Sequence, residues 1–150
     1  MPVTDHATTG LDADLALVSD AAREAGVIAM RYFRKEPEVW MKGGNSPVSE
    51  ADLQVNLFLH DALRAARPDY GWLSEESPDN AERLTARRTF VLDPIDGTMG
   101  LSKGSPYWTI ALAVVEDGHA ITAVVYAPDA GEMYSAAKGK GAWLNQTPIH

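Results

Sequence analysis

At 150 residues the chain is long enough for one domain with a buried core, and 45% hydrophobic and 23% charged residues are typical of a soluble globular chain. Its formal charge of −8, from 13 basic and 21 acidic residues, speaks against nucleic acid or an anionic membrane surface as the main partner. There is no cysteine, hence no disulfide framework and no thiolate metal site, a usage that suits a reducing cytosol and makes the cytoplasm the expected location.

The opening "MPVTDHATTG" has neither a basic nor an apolar signal region, so no secretory signal is expected. No apolar run approaches the roughly 18 residues of a membrane span. From Leu11, the residues Leu15, Val18, Ala22, Ala25, Ile28, Ala29, Tyr32 and Phe33 recur at spacings of three and four. That period predicts one face of a long amphipathic helix, stopped by Pro37. "VWM" at 39–41 predicts a short extended piece, followed by the loop "KGGNSPVS". A second helix is expected from near Ser49, with Val55, Phe58, Leu59, Leu63 and Ala66 turned inward, ending before Pro68. In "SEAD", Ser49 fits an N-cap and Asp52 its capping-box partner.

"YGWLSEE" predicts a strand that stops at Glu75 and Glu76; the polar run 77–88 is a connection, and "TFVLD" is the next strand. An antiparallel meander follows. "YWTIALAVVE" and "HAITAVVYAP" flank Asp117-Gly118, a strong hairpin signal, and "EMYSAA" and "AWLN" flank the turn "KGKG". Between 107 and 116 both alternating faces are apolar, which predicts a strand buried on both sides in a layered α+β structure. "NQTPIH" predicts a turn into a last strand with nothing after it as cover, so a C-terminal continuation is expected.

The chemistry concentrates in "FVLDPIDGT", residues 90–98. Pro94 biases Asp93 toward extended backbone, which predicts Asp93 as the last residue of its strand. Gly97 permits a backbone path closed to other residues and lets a ligand approach. Asp93 and Asp96 can then converge, with the carbonyl of Ile95 and the hydroxyl of Thr98 as further oxygens. Converging carboxylates repel unless a cation lies between them, and hard oxygen donors with room for water suit Mg²⁺. Glu75 or Glu76, ending a neighbouring strand, would add a third acid. Taken singly, each fragment has a plainer reading: a tight turn, a solvated loop, a helix cap.

In order, K-x-x-N-S-P-V-S-E-A-D, W-L-S-E-E and F-V-L-D-P-I-D-G-T resemble the inositol monophosphatase family, within the lithium-sensitive, magnesium-dependent phosphatases that include fructose-1,6-bisphosphatase. The resemblance runs from the first helix to residue 150. It implies an α/β/α/β/α layered sandwich, of which residues 1–150 would be the N-terminal half of a single phosphatase domain. By position, it implies that Glu75, Asp93, Asp96 and the main-chain oxygen of Ile95 bind metal, Asp93 bridging two ions. Thr98, paired with Asp52, would orient the attacking water, with Glu75 acting on it through a metal. Asp96 and the amides of Gly97 and Thr98 would receive the substrate, and Lys42 lies nearby.

The implied reaction is Mg²⁺-dependent hydrolysis of a phosphate monoester by metal-activated water. Inositol phosphates, 3′(2′),5′-bisphosphate nucleotides, histidinol phosphate and sugar phosphates are the compatible substrates, and a homodimer is the implied assembly. Two departures stand out. Met99-Gly100-Leu101 follows D-G-T where the family usually has a basic or polar residue, a small or polar one and Phe. The family's second signature, which holds a further metal-binding aspartate, is absent. That absence supports the alternative, a non-catalytic family member serving as a metal-binding or interaction module. "GKGKGAW" is a hairpin turn rather than a phosphate loop, "NQT" is a turn, and the four histidines form no ligand set.

Overall fold

The computed structural model describes residues 6–33, 47–74, 85–96 and 108–149. They form α1 (His6–Phe33), α2 (Pro47–Ala66), β1 (Gly71–Ser74), β2 (Arg88–Asp96), β3 (Thr109–Glu116), β4 (His119–Ala127), β5 (Glu132–Ala137), β6 (Gly141–Leu144) and β7 (Thr147–Ile149). The extended piece expected at 39–41 lies outside the described residues. The strands make one seven-stranded sheet in chain order. β1 and β2 are parallel, and every later neighbour is antiparallel. This is the expected α+β class. Of the five layers implied by the resemblance, the described residues form two, a helix layer and a sheet.

Both helices follow their apolar stripes. Val18, Ala22, Ala25 and Ala29 of α1 are fully buried, and Ala51, Val55, Leu59 and Leu63 repeat every fourth residue of α2 with no exposure. The alanine-rich face lets α1 lie close to the sheet. At Gly26 the approach is closest: a Cβ there would sit 2.6 Å from the Tyr126 ring and 3.1 Å from Cγ of Pro128. α1 begins ahead of Leu11 and ends before Pro37. α2 begins at Pro47, a residue suited to the first helical position because its missing N–H is not needed there. Ser49, the expected N-cap, lies within the first turn of that helix, and its side chain, on which the capping box depends, lies outside the described parts.

The helices cover one face of the sheet. Phe90, Leu92, Ile110, Leu112, Val114, Val124 and Met133 lie beneath them with Trp72 and Trp108. Burying each large apolar side chain contributes about 1.5–3 kcal/mol. The other face is also apolar, but among the described residues no helix lies on it: Val125 and Tyr134 are 39% and 40% exposed. Among the described residues β3, at 109–116, is thus covered by helices on one side only, where cover on both was expected. Its hairpin forms as expected, with positive φ at Asp117 and Gly118 as a two-residue type I′ turn requires. "KGKG" is a turn, with positive φ at Gly139 and Gly141, and Asn145 turns the chain from β6 into β7 while its Oδ1 accepts a bond from the Met133 amide. No helix among the described residues is long and apolar enough to cross a membrane.

One buried charge ties the amino-terminal edge together. Asp14 of α1 is 1% exposed, and its carboxylate accepts from Arg67 Nε at 3.0 Å, Tyr70 Oη at 2.7 Å and Arg88 Nη1 at 3.2 Å. Arg88 also reaches Glu116, which holds Arg87 at 2.7 Å. These bonds fasten the starts of β1 and β2 to α1, at the edge opposite Asp93.

Candidate active site

Topology decides where the acids lie. The chain leaves α2 through a tight turn, in which the Arg67 amide donates to the Leu63 carbonyl and the Tyr70 amide to the Arg67 carbonyl. It then returns as β1, so the amino end of α2 lies over the carboxyl end of β1. A direct bond marks this: Ser74 Oγ, at the last residue of β1, donates to Asn56 Oδ1 of α2 at 2.6 Å. Asp52 is one helical turn nearer that edge, about 6 Å along the axis at 1.5 Å per residue. Its side chain is buried, 9% exposed, on the stripe shared with Ala51, Val55 and Asn56.

β2 runs parallel to β1 and ends at the same edge. Their shared ladder closes with Ser74 opposite Leu92, and the residues that follow in sequence are Glu75 and Asp93. Two acidic positions thus succeed the last rung of adjacent strands.

Asp93 is not the end of β2. The strand continues to Asp96, with Asp93 opposite Ala111, Asp96 opposite Thr109, and a register shift between them. Between these pairs Pro94 and Ile95 of β2 oppose the single Ile110 of β3, a bulge of one residue. Pro94 lies beyond Leu92, the last residue of β2 paired with β1 among the described residues, and it sits in the bulge, where a missing N–H is tolerated. Pro94 and Ile95 are buried, and Asp93 is partly buried. In an unbroken strand, residues three apart fall on opposite faces. Here the extra residue restores them to same-face register positions, since Ala111 and Thr109 are two apart.

The structure therefore brings the ends of β1, β2 and α2 to one edge, with Asp52, Asp93 and the backbone of Ile95 and Asp96 among the described parts. Glu75, Gly97, Thr98, Lys42 and the Asp96 side chain lie outside them. Among the described residues no set of three or more His, Cys, Asp or Glu side chains is arranged to hold a metal. Sequence reasoning missed Asn56 and Ser74. Asn56 interrupts the apolar stripe of α2 one turn after Asp52, and that interruption was the available signal.

The wider chain agrees with this geometry. The model of the inositol monophosphatase family matches residues 11–150. The chain belongs to that family. Among its relatives within or near the inositol monophosphatase family, the 3'(2'),5'-bisphosphate nucleotidase CysQ of Escherichia coli (strain K12) is 40% identical over 135 residues, covering 88% of this chain and 54% of that protein. A histidinol-phosphatase of Chlorobaculum parvum is 32% identical, with 91% and 52% covered. Among solved structures, the extragenic suppressor protein suhB of Bartonella henselae superposes with a TM-score of 0.80 at 28% identity, over 92% of this chain and 53% of that one. The chain spans about half the length of the curated relatives it matches.

Proposed function

We propose that residues 1–150 are the N-terminal portion of a single phosphatase domain that hydrolyses a phosphate monoester on a small phosphorylated metabolite with Mg²⁺. The observation that carries this reading is the bulge in β2, which sets Asp93 and Asp96 at same-face positions on the edge shared with Ser74 and the amino end of α2. The bulge also buries Pro94 and Ile95, so one irregularity serves both the core and the acidic edge.

The donor set fits a hard divalent cation. Asp93, Asp96 and Glu75 would supply carboxylates and Ile95 a neutral carbonyl, all oxygen donors, in a chain without cysteine. When bound, Mg²⁺ would lower the pKa of a water and neutralise phosphoryl oxygens. Asp52, buried at the end of α2, would accept a hydrogen bond from the Thr98 hydroxyl and so orient the attacking water. The amides of Gly97 and Thr98 would receive the phosphate oxygens, and Asp96 would help to place the substrate. Positioned charge is what the reaction needs most, because phosphate monoesters hydrolyse extremely slowly unaided.

The 40% identity to a bisphosphate nucleotidase favours a nucleoside 3′,5′-bisphosphate over histidinol phosphate, inositol phosphates or sugar phosphates. A cytoplasmic location and a homodimer complete the reading. Phosphate release from this panel, with and without Mg²⁺, tests it on the 150-residue chain and on a form extended past His150. Mg²⁺-dependent release by either form, lost in Asp96→Asn, is the expected result. Release by neither form, or release indifferent to Asp96→Asn, would overturn it.

A further inference from the structure

We propose that Asn56 is a positioning residue, whose bond to Ser74 fixes the carboxyl end of β1 against the helix that carries Asp52. The inference rests on the metal-dependent reading above, and adds to it a pair of residues for which composition and motif offered no role.

Asn56 and Ser74 are 5% and 4% exposed, and the Oγ–Oδ1 distance of 2.6 Å is that of a short hydroxyl bond. Around Asn56 the inward positions of α2 are Ala51, Val55, Leu59 and Leu63, all fully buried. An apolar side chain would pack in that row without needing a partner. Apolar contact, however, tolerates sliding of a helix over a strand, whereas a directional bond between two buried polar groups does not. The bond falls where sliding would matter: Asn56 is one turn from Asp52, and Ser74 is the residue from which the chain continues into Glu75. It sets the depth of α2 relative to the last rung of β1, where Leu92 is the partner and Asp93 follows. Supporting groups of this kind typically alter metal affinity by about 10–100-fold when removed.

Calorimetric titration of the 150-residue chain with Mn²⁺, in place of Mg²⁺, tests this alongside thermal unfolding without metal. Ser74→Ala removes a single oxygen and Asn56→Ala the acceptor; each is expected to weaken Mn²⁺ binding about tenfold or more. The double variant should be little worse than either single one, because both remove the same bond. Val114→Ala, in the buried face away from this edge, should lower Tm while leaving Mn²⁺ affinity unchanged. Ser74→Ala serves even if Asn56→Ala fails to fold. Unchanged Mn²⁺ affinity in Ser74→Ala, with Tm lowered as in Val114→Ala, would overturn the positioning role and leave the phosphatase reading standing. No Mn²⁺ binding by the unaltered chain, nor by the form extended past His150, would overturn both.

Discussion

Asp93 and Asp96 are three residues apart in β2, yet their partners on β3, Ala111 and Thr109, are two apart. The extra residue is what allows a D-P-x-D spacing to present two acids from one face of a strand. Deleting Pro94 would remove the bulge while leaving Asp93 and Asp96 two apart on one face, so it tests the backbone path between them, and with it the Ile95 carbonyl, rather than the facing of the two acids. The expected outcome is loss of Mn²⁺ binding by about a hundredfold with the far-ultraviolet circular dichroism retained, read by calorimetry and spectroscopy on the same sample. An affinity unchanged by the deletion would mean that the bulge has no part in the site.

The buried Asp14 should behave as the anchor of the opposite edge. Asp14→Ala leaves Arg67 and Arg88 without the carboxylate they share and is expected to cost about 3 kcal/mol, since removing one partner of a buried ionic group strands the others. At roughly 2–4 °C per kcal/mol for a chain of this size, Tm should fall by roughly 6–12 °C. Differential scanning calorimetry measures it, and the Asp93 edge should retain its metal affinity.

Glu116 gives the fold an acid-sensitive contact. Its hydrogen bond to Arg87, opposed by burial and reinforced by Arg88, holds its carboxyl below the ordinary carboxylate value. A carboxylate depressed in the folded state stabilises fully above its unfolded pKa, and that contribution disappears as pH falls through the folded value. Stability measured by urea unfolding should therefore drop on the acid side, and Glu116→Gln should flatten that limb while leaving neutral pH less affected by further acid. At the alkaline end Tyr70 acts in the reverse sense: burial, with Asp14 beside it and against the pull of Arg88, raises its phenol, so its contribution is present below the unfolded value near 10 and is lost as pH rises.

Gly26→Ala tests the seating of α1 on the sheet. The added methyl would meet the Tyr126 ring at 2.6 Å and Cγ of Pro128 at 3.1 Å, so the ring must shift to admit it. Overpacking of this kind costs about 1–3 kcal/mol, to be read from denaturant midpoints. A neutral or stabilising result would show that Tyr126 can swing aside.

Much of this architecture was legible because apolar periodicity reports burial directly. The stripes of α1 and α2, the Asp117-Gly118 hairpin and the meander strands all follow from local pattern and turn chemistry. Legibility failed where distant residues decide. Nothing local to Asp93 signals that β2 continues through Pro94, because that depends on a distant partner, β3, which extends to Thr109. The Asp14 network joins residues up to 74 positions apart, so no spacing rule could find it. Asp52 was singled out by motif, but Asn56, one turn on, became meaningful only when Ser74 appeared across from it.

The central claim is that acids from separate segments meet at the carboxyl ends of β1 and β2 to hold divalent cations. Crystals of the chain grown with Mn²⁺ and measured for anomalous scattering test it most directly. The account predicts an anomalous peak at about 2.0–2.3 Å from carboxylate oxygens of Asp93 and Asp96, with Glu75 in reach of the same ion. An ordered edge with Glu75 remote from both aspartates, and no peak between them at saturating Mn²⁺, would contradict it.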